Sequence, residues 1–152
     1  MFNLRKATRS DQAAIRHLIR SARINPTGLD WRRFLVAVDD TNRLIGCGQI
    51  KPHDNHTCEL ASIAVQPAYR RQGVARTLIE NLLKEREVPG CEVYLTCRAE
   101  LEPFYRKFGF ERATGKLPAY FSMVRSFSRI LLFFRLSRQA ILVMHYRKGG
   151  ST

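Results

Sequence analysis

Apolar positions along the chain change their period several times, and each change marks an element. FNLRKA at 2–7 alternates loosely and reads as a first strand. Ser10-Asp11-Gln12 then opens a run with Ile15, Leu18 and Ile19 on one face, a helix expected to end near Asn25-Pro26. FLVAV at 34–38 and LIGCGQI at 44–50 flank the turn signal Asp39-Asp40-Thr41-Asn42 and predict a hairpin. A further turn, Pro52-His53-Asp54-Asn55-His56, leads into a longer strand, TCELASIAV at 57–65. Leu78, Ile79, Leu82 and Leu83 form the stripe of a helix running to about Glu87, stopped by Pro89-Gly90. CEVYLTC at 91–97 returns to alternation, and AELEPFYRKF at 99–108 is a short helix closed by Gly109. Phe110 starts a strand or turn, 120–136 is helical, AILVMHY at 140–146 is a last strand, and Lys148–Thr152 is a tail. The order β-α-β-β-β-α-β-α-β-α-β predicts one α/β or α+β layer with mixed strand directions, and 152 residues suit a single domain.

Composition changes that picture in one respect. A hydrophobic fraction of 45% is that of a globular chain. The first residues carry no apolar signal-peptide core, and the longest apolar stretch, Ile130 to Phe134, is broken by Arg129 and Arg135, so no membrane span and a cytoplasmic setting are expected. Cys47, Cys58, Cys91 and Cys97 lack metal-ligand spacing and are expected to be reduced, mostly buried thiols. The outlier is a net charge of +13. Residues 1–38 hold eight basic and two acidic side chains, 39–111 hold ten and eleven, and 112–152 hold eight and none. A neutral middle between two positive flanks speaks of partners and steering, not of fold.

The stretch RRQGVA at 70–75 sits between a strand and a helix. A strand, a glycine-bearing turn and a helix N-terminus place free N–H groups at a positive helix end, where phosphate binds without particular side chains. Arg70, Arg71 and Arg76 could add charge, and Gly73 and Ala75 keep the approach slim. The loop has neither the Lys-Ser/Thr of a Walker loop nor three glycines, so a plain connection stays open beside the cradle.

The run Val65-Gln-Pro-Ala-Tyr-Arg70-Arg-Gln-Gly73-Val-Ala75 resembles the acetyl-CoA signature of the GNAT superfamily of acyl-CoA-dependent N-acyltransferases, Arg/Gln-x-x-Gly-x-Gly/Ala. Pro103-Phe-Tyr105-Arg-Lys-Phe-Gly109-Phe110 resembles the second signature of that family, and the likeness in element order spans about residues 2–147. The resemblance implies an α+β fold: a central mixed, mostly antiparallel sheet, flanked by helices, splayed between its fourth and fifth strands, with a bulge in the fourth. It implies acetyl-CoA as co-substrate and no metal. The pantetheine would pair with Ile63, Ala64 and Val65, the pyrophosphate would lie on Arg71, Gln72, Gly73, Val74 and Ala75 beside Arg70, and Phe104 would line the cofactor side. The whole chain, 1–152, would be one N-acetyltransferase domain with an apolar, basic helical insertion at about 116–138.

Acetyl transfer from a thioester to an amine needs a base for the ammonium proton, donors for the carbonyl oxygen, and an acid or hydrogen bond for the departing thiolate. The resemblance makes Tyr105 the candidate acid and Glu59 the candidate base. The residues alone also allow a core tyrosine beside Phe104 and Phe108, and an exposed strand glutamate paired with an arginine. A bulge N–H such as that of Val65 is the expected carbonyl donor. His53 and His56 in a hairpin turn are read as solvated, His145 as a core histidine, and Cys97 as a nucleophile without a local base. The insertion is apolar nearly all round and should pack on the domain, a second copy of the chain in a homodimer, or the acceptor site as a lid; an interfacial membrane helix is the rival. The positive flanks suit an amine acceptor, small molecule or peptide, that carries acidic groups. Aromatics at buried periodicity speak against a nucleic-acid binder, and a non-catalytic CoA sensor of the same fold is the other alternative.

Overall fold

The structure, a computed structural model, describes residues 1–54, 56–85, 90–133 and 140–147, with backbone only for 130–133. The expected helix end near Glu87, its stop at Pro89, Arg135, Arg138 and the tail from Lys148 lie outside the described residues. The strands are β1 (Phe2–Lys6), β2 (Phe34–Asp39), β3 (Leu44–Pro52), β4 (Thr57–Val65), β5 (Glu92–Arg98), β6 (Phe110–Arg112) and β7 (Ile141–Tyr146). The helices are α1 (Gln12–Ser21), α2 (Val74–Lys84), α3 (Glu102–Arg106) and α4 (Ala119–Phe133). The strand order is β1-β2-β3-β4-β5-β7-β6, mixed, with β4–β5 parallel and the other described pairings antiparallel. The chain divides into two compact units, Met1–Lys51 with Leu60–Pro89 and Pro52–Glu59 with Gly90–Thr152, and β4 runs from the second into the first.

In the first unit β2 is buried along FLVAV rather than alternating, because both of its faces are covered. Phe34, Val36 and Val38 meet Ile15, Leu18 and Ile19 of α1, together with Leu44, Cys47 and Ala64. α2 buries Val74, Leu78, Ile79 and Leu82. The glycines of LIGCGQI let α2 and β4 come close. A Cβ at Gly46 would stand 2.9 Å from Val74 Cγ1, and one at Gly48 would stand 2.5 Å from Ile63 Cδ1. α1 ends at Ser21, four residues before the expected Asn25. Arg23 takes a left-handed φ of +55°, and Ile24 N–H reaches back to the Ile19 carbonyl, so an arginine does the capping that glycine usually does. Asp11 opens α1 and receives the Arg5 guanidinium through two hydrogen bonds of 2.7 and 3.0 Å.

In the second unit β4 keeps register with β5 through Thr57–Glu92, Cys58–Val93 and Glu59–Tyr94, and the pairing ends there while β4 continues to Val65. β7 pairs with β5 from Tyr94–His145 to Arg98–Ile141, and with β6 on its other side. Tyr94, Leu117, Phe121 and Val143 form the core. Glu102 of α3 binds Arg106 and Arg112, tying the helix to β6. One sequence expectation is overturned here. Cys58 and Cys91 are joined in a disulfide, leaving only Cys47 and Cys97 as free thiols, both buried. Thirty-three residues separate the two bonded cysteines, and only the parallel β4–β5 register brings them within reach.

The Arg5 hydrogen bond holds the Asp11 carboxyl down to about 2, and Arg112, then Arg106, hold Glu102 down to about 2. A carboxyl depressed in the folded state stabilises fully above its unfolded value and loses that contribution as pH falls through the folded value. The urea midpoint should therefore drop between about pH 4 and pH 2. In an Asp11→Asn, Glu102→Gln double variant that drop should be smaller; an equally steep one would remove both groups from the account.

Candidate active site

The loop between β4 and α2 carries two left-handed residues, Arg71 at φ +59° and Gly73 at φ +84°. Such a conformation is rare for a side-chain-bearing residue, and backbone of this kind collects at functional sites. Gly73 is the N-cap of α2, whose first N–H groups have no helical acceptor. A Cβ at Gly73 would meet nothing within 4 Å, so conformation rather than crowding demands glycine and the space over the helix end is open. Other side chains brace the loop instead of reaching outward. Arg70 Nε donates to the Val65 carbonyl at 3.2 Å, Gln72 Nε2 to the Ala68 carbonyl at 3.0 Å, and Thr77 Oγ1 to the Gly73 carbonyl at 3.0 Å. Val74 is buried and anchors the first turn, while Ala75 is half-buried beside it.

Upstream, β4 carries an irregularity at Ser62, a left-handed residue at φ +59° within the strand. The irregularity thus falls three residues before Val65, whose N–H the sequence offered as the donor to the acetyl carbonyl. Ser62 Oγ accepts from Gln49 Nε2 at 3.0 Å, and Gln49 is fully buried with its Oε1 unpartnered among the described residues. Ile63 and Val65 are half-buried and Ala64 is buried.

In the second unit Glu59 is buried, as a residue 6% exposed, and is the last β4 position in register with β5. It is not the arginine-paired surface glutamate that sequence left open. Its Oε2 lies 2.7 Å from His53 Nε2, and its Oε1 accepts from Thr96 Oγ1 at 3.4 Å. The His53 ring stacks on Tyr120 at 3.9 Å and meets the edge of Phe121 at 5.4 Å. Burial, followed by the Glu59 charge, raises the Tyr120 phenol above its ordinary value. His53 is the residue sequence reasoning missed. It was read as a solvated turn histidine, but the bonds from His53 N–H and Asp54 N–H to the Thr57 carbonyl fold the turn so that its ring lies over the start of β4. Helix α4 supplies the other wall: Phe121 is fully buried, whereas Met123 and Phe127 point outward, 62% and 61% exposed.

Tyr105 sits on α3 with Phe104 at a ring distance of 5.1 Å and Phe110 at 6.1 Å. Desolvation, then the nearby Cys97 thiol, pushes its phenol well above the ordinary tyrosine range, so it keeps its proton at any neutral pH. Cys97 is unsuited to nucleophilic attack: burial, then the Glu102 charge, lifts its thiol to about 11. His145 stacks on Tyr94 at 4.5 Å, opposite it in the β5–β7 register. Among the described residues no cluster of three or more His, Cys, Asp or Glu could hold a metal ion, and no helix is long and apolar enough to cross a membrane.

A family model described as "Acetyltransferase (GNAT) domain" matches residues 30–112, more than half of the chain and the whole segment from β2 through β6. The chain belongs to the GNAT acetyltransferase family. Solved GNAT structures share its fold. Rv2747 from Mycobacterium tuberculosis, solved in complex with CoA, is 24% identical with a TM-score of 0.68 over 95% of this chain and 99% of that one. The ribosomal-protein-S18-alanine N-acetyltransferase of Escherichia coli is 19% identical, TM-score 0.63, over 100% and 99%. N-acetylglutamate synthase from Neisseria gonorrhoeae, complexed with coenzyme A and L-arginine, is 20% identical, TM-score 0.68, over 97% of this chain and 34% of that longer one. No curated protein sequence matches the chain. At these identities the neighbours share a GNAT scaffold, and acceptor choice rests with this chain's own residues.

Proposed function

We propose that the chain is an N-acetyltransferase that moves an acetyl group from acetyl-CoA to a primary amine by direct attack. The observation that carries the reading is the loop at 70–75: two left-handed residues, a glycine N-cap and open space over the N-terminus of an eleven-residue helix. That arrangement suits a pyrophosphate, held by backbone N–H groups of Arg71 to Ala75 and the helix dipole. Ile63, Ala64 and Val65 would hold the pantetheine and Phe104 would line the cofactor side. Tyr105 would donate a hydrogen bond to the departing sulfur, and the buried carboxylate of Glu59 belongs to the group that relieves the amine of its proton. No covalent enzyme intermediate is needed, in keeping with buried, protonated Cys47 and Cys97.

The acceptor we favour carries acidic groups. Arg16, His17 and Arg20 are exposed along α1, and no acidic residue occurs from Arg112 to Thr152. A positive surface raises the local concentration of anionic substrates and slows polycations. The test is release of CoA thiol from acetyl-CoA with a panel of amines, including matched acidic and basic peptides across a salt series. Amine-dependent release, faster with acidic acceptors at low salt, is expected. Tight acetyl-CoA binding without release under any amine would instead mark a CoA sensor.

A further inference from the structure

We infer that His53, oriented by Glu59, is the base that takes the proton from the acceptor amine. The inference rests on the acetyl-transfer reading above and departs from the simpler assignment in which Glu59 does this alone.

The geometry separates the two roles. Both carboxylate oxygens of Glu59 already accept hydrogen bonds, one from His53 and one from Thr96. With Nε2–H pointing at Glu59, the His53 imidazole carries its lone pair on Nδ1, and Nδ1 has no hydrogen-bond partner among the described residues. Tyr120 covers one ring face and Phe121 meets the ring in a T-shaped contact, and turning the ring over would break the Glu59 bond. A carboxylate that fixes the tautomer and plane of an imidazole, leaving the far nitrogen to accept, is the division of labour of a base and its orienting group. The chemistry agrees, since imidazole titrates near neutral pH whereas carboxyl groups ordinarily titrate about two units lower.

A stability role is the competing explanation, and it fits poorly. A buried carboxylate paired with an imidazole adds little net stability over apolar side chains of similar size. Setting the buried Glu59 carboxylate against a half-buried imidazole and a half-buried phenol at the end of the β4–β5 register is therefore a poor way to hold a hairpin. The groups facing His53 are Glu59 from β4 and Tyr120 from α4, while Asp54 and His56 share its turn and are exposed.

In the proposed step the acceptor ammonium gives one proton to His53 Nδ1, directly or through water. The freed amine forms the N–C bond to the acetyl carbon and the C–S bond breaks. The second nitrogen proton leaves and neutralises the CoA thiolate. The imidazolium passes its proton to water, so one proton is released per amide formed.

The test is the pH dependence of kcat/KM for wild type, His53→Gln and Glu59→Gln, with imidazole rescue of His53→Gly. The glutamine amide can keep the donor to Glu59 while removing the ring nitrogen that accepts. His53→Gln should lower kcat by roughly 10²–10³-fold and lose the acidic limb of the profile. Glu59→Gln should keep that limb while lowering kcat, because the imidazole then lacks the carboxylate that fixes its plane and tautomer. His53→Gly should regain about tenfold or more of its rate in added imidazole. Acetyl-CoA affinity should change by less than about threefold in all three, the free-energy equivalent of well under 1 kcal/mol. A His53→Gln enzyme that keeps its rate and its acidic limb overturns the inference alone. So does the mirror pattern, in which Glu59→Gln abolishes the limb and His53→Gln keeps it. Wild type that binds acetyl-CoA but acetylates no amine overturns the functional reading itself, and this assignment with it.

Discussion

Gly73→Val removes acetyl-CoA binding, by about 100-fold or more in affinity, while the protein stays folded. The expectation follows from backbone conformation. At φ +84° a β-branched residue is strained by about 1–3 kcal/mol, and the loop can shed that strain only by rotating its peptide units away from their present orientation. Those units carry the N–H groups that would face the pyrophosphate. The new side chain would in addition fill space that is now open. Helix α2 itself should persist, because Val74, Leu78, Ile79 and Leu82 remain buried against the sheet. Titration calorimetry with acetyl-CoA, paired with a thermal melt, checks both halves. Gly73→Ala is the graded control: it pays the strain with little added bulk and should lose less. Near-native affinity in the valine variant would show that the cradle is not where the cofactor is held.

Much of this site was legible from residue order because its carriers are local. Gly73 and the run around it form one contiguous loop, and the apolar stripe of α2 beginning at Val74 fixes where the helix starts. The strands emerged within two residues of their expected ends because short apolar, β-rich runs such as FLVAV are bounded by turn residues. What stayed hidden depends on neighbours that only folding supplies. His53 and Glu59 are six residues apart across a hairpin, and nothing in the spacing distinguishes a solvated turn histidine from one folded back over the next strand. The Cys58–Cys91 bond needs the parallel β4–β5 register, which no local pattern encodes. Ser62 occupies a left-handed conformation that sequence assigns by default to glycine, so the irregularity in β4 was expected nearer Val65. Arg23 hides the end of α1 for the same reason.

Tyr105→Phe should lower kcat by roughly 10²-fold and leave the KM for acetyl-CoA little changed, as expected for a group that matters only once charge develops on sulfur. Phenylalanine keeps the ring contacts with Phe104 and Phe110 and deletes one hydroxyl, so the fold is not at stake. The raised phenol pKa decides the form of the contribution. A thiol ordinarily titrates near 8.5, well below a phenol lifted above 10, so complete proton transfer from Tyr105 to the thiolate runs uphill. A hydrogen bond that shortens as the C–S bond breaks carries no such penalty and gains from the desolvated surroundings. The two cases differ on the basic side of the pH profile. A tyrosine of ordinary pKa needed in its protonated form would impose a loss of rate as pH approaches 10. The desolvated phenol moves that loss upward, so wild-type kcat should stay flat to about pH 10. A basic limb below pH 9 that disappears in Tyr105→Phe would show that the phenol ionises far more easily than its burial beside Cys97 allows, and would return it to the role of a true acid.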